Sequence, residues 1–557
     1  MYSPEKIAFR YFDNKTKSYI ATTWLETAKC VSQWQAALKQ ENLSKGDLVG
    51  MMIRTSYERA IFEFAASGLG LVTVPIYINS FERPSYLLSL LENTQVKLLL
   101  IQNELQEAVL LSLKDRLPPF TIIRLDKIDT WLPQEYDIEL CDITSDPDEL
   151  ITIHYTSGTS GKLKAAMLSH KNILSNAEAL SYHITTYDSD QLVPFTGNWI
   201  FPMMMDFATA FPRSLNDLER INPTHIVSAA RFYEYLYEQI TIRFMNKPWW
   251  FKLLFKQTIA TGWKRFEYQQ GRKKWAIELL MFPILDAIVA KPVRKILGNR
   301  LRCAFYAGGI LPPEIYQTFI GLGVPLLHCY GQAEAGAVIS MNMPDDNLPS
   351  SVGKPLKGFH VRIKKENGEL QVKSSSVMMG YWNNPSATES TLKDGWLHTG
   401  DMVRRDNDGH LFFIGRISDM MVMKNGSRIA TTEIEALIKA DILFDQVMVI
   451  GKEMPFLTAL IVLNKELWKK FADSLQLNPD DPLTLTDKSV KSKIMERISA
   501  KLENYPDCAP IDSITLLTDK WTIEDGLVTT SSKLKRANLY AKYASEIGKM
   551  YSDKNEF

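Results

Sequence analysis

Between Leu48 and Ile101 the chain alternates short apolar runs with stretches of helical spacing, and few folds accept that alternation. Leu48–Ile53, Leu71–Ile76 and Val96–Ile101 are apolar on both faces, whereas Tyr57 to Ala66 and Pro84 to Asn93 repeat their apolar residues at helical intervals. A strand apolar on both faces has to be covered on both. Helices between such strands supply the cover, so the pattern predicts an α/β fold with a parallel sheet built from βαβ units. At 557 residues the chain is too long for one core, and two or three domains are expected. Ligands of parallel sheets gather beyond the carboxyl ends of the strands, so chemistry is expected in the loops there.

One such loop follows the apolar lead-in Ile151–Tyr155. Thr156, Ser157, Gly158, Thr159, Ser160 and Gly161 are followed by Lys162 and then Lys164. Glycines remove side-chain contacts and hydroxyls must be hydrogen-bonded or wet, so a packed core has no use for this run. A polyphosphate does: bared N–H groups and hydroxyls can wrap phosphoryl oxygens while a lysine neutralises their charge. The loop is not the one written G-x-x-x-x-G-K-[ST], because two residues separate Gly158 from Gly161 and Leu163 follows Lys162. A flexible Ser/Thr/Gly linker is the alternative, but apolar periodic sequence on both sides puts the loop inside a domain.

Lysines and arginines number 64, and so do aspartates and glutamates, so no net charge draws the chain to nucleic acid. The five cysteines (Cys30, Cys141, Cys303, Cys329, Cys508) are scattered and form no CxxC pair, which fits a reducing compartment and argues against structural zinc. Met1 to Phe12 lacks the apolar centre of a signal peptide, and no run of about twenty apolar residues could span a membrane. A cytoplasmic protein is expected. Lys247 to Trp275 stands apart, because Trp249, Trp250, Phe255, Trp263 and Trp275 are interleaved with lysines and arginines, and Glu267 is the one acid among them. Two readings fit this segment. It forms amphipathic helices packed on the domain with solvated lysines, or it makes peripheral contact with the inner face of a membrane, rings at headgroup depth and cations on anionic lipid.

Further on, a strand-like run ends in Gly308-Gly309, where bare backbone lets a flat ligand approach closely. About one helix later comes Tyr330-Gly331-Gln332-Ala333-Glu334. Turn-rich sequence with short alternating runs, such as His410–Ile414, then reads as a β-rich subdomain and holds Gly380-Tyr381, Thr399-Gly400-Asp401 and Gly415-Arg416. Lys424-Asn425-Gly426 and Thr432–Glu435 open a smaller α+β unit with strand-like Val447–Gly451 and Phe456–Leu463, and the chain closes with Thr529 to Arg536, which includes Lys533.

In this order the motifs resemble those of the acyl-adenylate-forming (AMP-binding) synthetases, most of all the long-chain fatty acid–CoA ligases. The resemblance runs from about Gly46 to Arg536. It implies a large N-terminal domain, 1–416, of parallel-rich sheets with helices and a β-rich subdomain at about 350–416, then a small mobile α+β domain, 417–557. It also implies roles. Loop 155–164 wraps the phosphates of ATP, with Lys164 drawing charge toward the pyrophosphate. Gly308, Gly309, Gly331, Gln332 and Ala333 hold adenine and the α-phosphate, with Tyr330 stacked on the base. Thr156 and Glu334 hold Mg2+. Asp401 takes both ribose hydroxyls, a bidentate task suited to a carboxylate, and Arg416 meets the nucleotide. Ser418 is the hinge, Gly426 lies by the channel for coenzyme A, and Lys533 is the adenylation lysine.

The implied reaction is activation of a fatty acid by ATP to acyl-AMP and pyrophosphate, then transfer to coenzyme A. Several positions depart from the family's spelling. Leu163 stands for a proline, Ala165 for a glycine, Ala307 for a serine and Ala333 for the threonine that hydrogen-bonds the α-phosphate, a contact worth roughly 1.5–3 kcal/mol. Leu192 to Pro202 also lacks the His-containing segment that lines the acyl pocket in relatives. Three readings therefore stand: a long-chain fatty acid–CoA ligase, a fatty acyl-AMP ligase or acyl-carrier-protein synthetase, and a catalytically reduced relative that binds nucleotide or acyl chains.

Overall fold

The computed structural model describes residues 3–140, 146–157, 163–195, 205, 207–245, 247–424, 428–502, 511–528 and 534–552. The expected βαβ units are present: strand Leu48–Met52, helix Tyr57–Gly68, strand Val72–Pro75, helix Pro84–Thr94 and strand Leu98–Ile101. Local chemistry sets their ends. The Ser56 hydroxyl accepts from the Arg59 N–H and caps the first helix. Pro84 opens the second, where its missing N–H costs nothing. Val49, Met51, Leu98, Leu99 and Leu100 are all buried, as a sheet covered on both faces requires.

These strands belong to a seven-stranded sheet in which Thr121–Arg124, Leu98–Ile101, Leu48–Met52, Val72–Pro75 and Leu150–Ser157 run parallel. The chain then doubles back. Leu163–Ser169 pairs antiparallel with Leu150–Ser157, setting Lys164 opposite Thr156, and Gly380–Tyr381 closes that edge. The strands on either side of the Thr/Ser/Gly run thus pair antiparallel, and the next helix, His170–Ser181, follows the second of them.

A nine-stranded sheet carries Leu326–Tyr330, Cys303–Ala307, His225–Ala229, Gln191–Pro194, Ala208–Phe211 and Ile7–Asp13 as parallel neighbours. The expected β-rich subdomain is a five-stranded antiparallel sheet of His360–Ile363, Glu369–Lys373, Leu392–Lys393, Trp396–Arg405 and Leu411–Arg416. Beyond it, Phe444–Ile450, Leu457–Leu463 and Ile511–Leu517 form a three-stranded sheet whose two apolar cores draw only on residues from Met421 onward. Polar contacts reach back to the rest: Lys439 to Glu234 at 3.0 Å, Asn464 to Glu238 at 3.4 Å, and Lys501 to Glu314, while the helix Thr431–Lys439 also approaches the strand Leu411–Arg416.

The aromatic, basic segment is one helix, Trp249–Gln269, laid against the helix Pro313–Gly321. A Cβ on Gly262 would lie 1.8 Å from the Gly321 carbonyl oxygen, so only glycine permits this approach. Phe255, Trp263 and Phe266 pack inward on the core of the nine-stranded sheet. The packed-helix reading therefore holds for this inner face. Among the described residues no helix is long and apolar enough to cross a membrane.

Two measurements test this packing. Gly262→Leu is expected to separate the two helices and lower stability by about 3 kcal/mol or more, read as a fall in the calorimetric midpoint. His225 and His328 are buried in the same sheet, and burial pushes each pKa down to about 4. The unfolded chain binds these protons near pH 6.5 while the folded chain does not, so stability is lost as pH falls from about 6.5 toward 4. Melting followed across that range should drop, and His328→Gln should flatten the slope.

Candidate active site

Glu334 lies in the single turn Ala333–Ala335 that follows the strand Leu326–Tyr330. Its carboxylate is buried and accepts a hydrogen bond from the Tyr381 hydroxyl at 2.8 Å. The Thr156 hydroxyl approaches the same oxygen at 3.5 Å from the end of a strand of the other sheet. Lys164, opposite Thr156 on the hairpin, holds its ammonium 4.9 Å from the centre of the Tyr381 ring. Three stretches far apart in sequence thus bring a carboxylate, two hydroxyls and a cation together. Burial raises the Tyr381 pKa far above its ordinary value and the Glu334 charge adds to the shift, so the phenol stays protonated and can only donate to that carboxylate.

This arrangement fits a magnesium ion. Mg2+ is commonly held by one or two carboxylates together with substrate phosphates and water rather than by an all-protein cage. Glu334 and Thr156 supply hard oxygen donors beside the hairpin, and among the described residues no cluster of three or more metal-binding side chains competes. Gly158 to Lys162 lie outside the described residues, as does the side chain of Ser157.

The second half of the site centres on Asp401, buried on the strand Trp396–Arg405. Tyr330 donates its hydroxyl to Asp401 Oδ2 at 2.7 Å, and Arg416, directly opposite on the next strand, puts Nε 3.2 Å from Oδ1. The Tyr330 ring is buried, 6.0 Å from Phe413, and burial holds its phenol protonated with the Asp401 charge reinforcing the effect. Bare backbone follows the two neighbouring strands Cys303–Ala307 and Leu326–Tyr330. Gly308 and Gly309 are exposed at the end of the strand Cys303–Ala307, and Gly308 takes φ +81° with open space where a Cβ would stand. Gly331 is exposed too, and a Cβ there would lie 1.7 Å from the Ala337 carbonyl oxygen. Gln332 and Ala333 are half-buried beside it, with Ala333 packed near Tyr381.

The expected site residues Thr156, Lys164, Gly308, Gly309, Tyr330, Gly331, Gln332, Ala333, Glu334 and Arg416 occupy loops or strand ends of the two large sheets and the five-stranded sheet, and Asp401 lies within the strand Trp396–Arg405. Gly426 and Lys533 lie outside the described residues. The residues flanking Lys533 are described: Val528 and Leu534 form a bridge across the loop's neck, and Arg536 makes a 2.7 Å ion pair with the buried Glu435. Sequence reasoning quoted Tyr381 and Glu435 within motifs but gave neither a role. Their signal was weak, because a tyrosine after a glycine and a glutamate in a helix are ordinary until folding shows what they face. The expected acyl-pocket segment is described up to Phe195, whose ring lies 4.7 Å from that of Phe232.

Known proteins share this plan. The family model of the AMP-binding enzymes matches residues 2–382, and that of the AMP-binding enzyme C-terminal domain matches residues 418–555. The long-chain-fatty-acid–CoA ligase FadD15 of Mycobacterium tuberculosis is 26% identical over 567 aligned residues, covering 95% of this chain and 92% of that protein. The chloroplastic long-chain-fatty-acid–[acyl-carrier-protein] ligase AEE15 of Arabidopsis thaliana is 26% identical over 73% of this chain and 62% of its own length. Among solved structures, the anthranilate CoA ligase AuaEII in complex with anthranoyl-AMP superposes with a TM-score of 0.72 at 20% identity, covering 98% of this chain and 95% of that one. With both family models matched along nearly its whole length, the chain belongs to the acyl-adenylate-forming AMP-binding enzymes.

Proposed function

We propose that the protein activates a long-chain fatty acid with ATP and passes the acyl group to coenzyme A. The observation that carries this reading is the convergence of Thr156, Lys164 and Glu334 on Tyr381, with the Tyr330–Asp401–Arg416 group beyond the bare glycines. One end suits a polyphosphate and its metal; the other offers a carboxylate to a ribose diol. In the first step a carboxylate oxygen of the acid attacks the α-phosphorus in line, and the bond to the bridging oxygen of pyrophosphate breaks. Charge builds on the phosphoryl oxygens, so positioned cations and N–H groups supply the catalysis. Magnesium, when bound, neutralises the phosphates as a Lewis acid. Glu334 and Thr156 would hold it, Lys164 would draw charge toward the leaving group, and Lys533 would pair with the attacking carboxylate. In the second step the thiolate of coenzyme A attacks the acyl carbonyl and AMP departs.

We further propose that residues 417–557 move as a unit about Ser418 between these steps. Ser418 sits in the short turn Ile417–Asp419, just after Arg416. Surface ion pairs contribute under about 1 kcal/mol each, so the polar joint to Glu234, Glu238 and Glu314 offers little resistance to rotation. The joint supports withdrawal of Lys533 before thiol attack. Transfer to an acyl carrier protein is the second reading, favoured by the likeness to AEE15.

Pyrophosphate release measured across straight-chain carboxylic acids of graded length is the decisive assay. Release is expected to rise toward long chains and to fall about 100-fold or more in Lys533→Ala; no release with any acid would sink the ligase reading in favour of a reduced relative. Supplying coenzyme A or a holo carrier protein then identifies the acceptor. Tyr381→Phe removes one hydrogen bond to a charged oxygen, so pyrophosphate release should slow by about 10-fold or more while the magnesium concentration for half-maximal rate rises. An unchanged magnesium requirement would show that Tyr381 does not position Glu334.

A further inference from the structure

The outer face of the aromatic, basic segment is unaccounted for by packing. Among the described residues 23 large apolar side chains are exposed, and ten of them fall between Trp249 and Ile288. They sit on two neighbouring stretches. At the start of the helix Trp249–Gln269, Trp249 is 76% exposed and Leu253 60%. A continuous helical run from Ile277 to Leu297 lies alongside, because Val289 packs into one cluster with Phe251, Leu254 and Phe255. This run is apolar on two sides. Phe282, Leu285 and Val289 face inward and are buried, whereas Leu280, Ile284 and Ile288, spaced four apart, are 66%, 63% and 52% exposed. Scattered exposed apolar residues need no explanation, but a concentrated patch of this kind marks a contact surface.

Charge identifies what the surface contacts. Residues 247–295 hold eleven lysines and arginines against Glu267, Glu278 and Asp286, a net +8 within a chain whose net charge is zero. Those acids are already taken by Arg272 and Lys273, by Lys264, and by Arg294. Among the described residues Lys252, Lys256, Lys274 and Lys291 have no acidic partner. A second copy of the chain would set +8 against +8 at this face, a like-charge juxtaposition that costs several kcal/mol. We propose that the face docks on an anionic lipid bilayer, with Leu280, Ile284, Ile288, Trp249, Trp250 and Leu253 in the headgroup–acyl boundary and the unpaired lysines on the lipid charges. Tryptophan suits that depth, its ring being apolar and its N–H polar. The glycine contact between Gly262 and Gly321 fixes this helix to the nucleotide-binding sheets, so docking would orient the whole large domain on the membrane.

Flotation with phospholipid vesicles tests this on the full chain without ATP or acid, so it succeeds or fails independently of the ligase reading. The protein is expected to float with vesicles of phosphatidylcholine carrying about a third phosphatidylglycerol, to stay behind with phosphatidylcholine alone, and to be released by high salt. The triple variant Leu280→Glu, Ile284→Glu, Ile288→Glu should lose binding at least about 10-fold with an unchanged thermal melt. Lys252→Glu with Lys256→Glu, which leaves the apolar stripe intact, should weaken binding to the anionic vesicles by about fivefold per lysine. Three outcomes overturn the proposal: no flotation of the wild type, equal flotation of the triple variant, or a dimer in light scattering that the triple variant dissolves. The last would make this face a contact between copies.

Discussion

The hydrogen bond from Tyr381 to the buried carboxylate of Glu334 fixes the geometry on which the rest of the site depends. A carboxylate taken out of water needs donors or cations around it, or it is protonated instead. Here the donors and the carboxylate come from different sheets. Glu334 lies in the turn after Leu326–Tyr330 of the nine-stranded sheet, while Tyr381 and Thr156 belong to the seven-stranded sheet. The backbone repeats the tie, since the Met378 N–H donates to the Glu334 carbonyl at 2.9 Å. The two large sheets are thereby tied together near the ends of their strands. Tyr381 adds a second service, because its ring gives the Lys164 ammonium an electron-rich face.

The nucleoside end uses the same device with different partners. Asp401 receives Tyr330 from the nine-stranded sheet and Arg416 from its own antiparallel neighbour, so the five-stranded sheet is tied in turn to the first. Each half of the candidate site is thus also a joint between sheets. That double use explains why ordinary-looking residues are buried there. A tyrosine, an aspartate and an arginine could each cap a turn on a surface, but as a joint their register is forced.

How much of this could be read from sequence differed by element, for physical reasons. The βαβ run from Leu48 to Ile101 was legible to within a few residues, because strands buried on both faces leave no alternative to long apolar runs and Ser56 and Pro84 punctuate the helices. The hairpin of Leu163–Ser169 was not legible. Lys164-Ala165-Ala166-Met167 has no strand alternation, and it is a strand because Leu150–Ser157 and Gly380–Tyr381 flank it. Leu163, read as a departure in a loop, turns out to pack on the core beneath that sheet, which is work for an apolar side chain. The site residues were recognised by the order of their motifs. Tyr381 and Glu435 were missed because their importance lies in partners 47 and 101 residues away, which no local pattern encodes.

The distribution of apolar contacts also bears on the proposed swing of the small unit. Among the described residues its cores draw on none before Met421, and its contacts with Glu234, Glu238 and Glu314 are polar, so breaking those three contacts in a rotation would cost little. The residues that flank 529–533 are tied down within the unit. Val528 bridges to Leu534, and the Arg536–Glu435 ion pair, reinforced by the Val449 N–H on the same carboxylate, pins the chain just beyond. Under the role proposed for Lys533, ties on both sides of residues 529–533 and a weak seam between units would serve its delivery and withdrawal. Apolar residues at Lys439, Asn464 and Lys501 would have traded that seam for stability, and polar residues at 435 and 536 in a looser setting would have lost the aim.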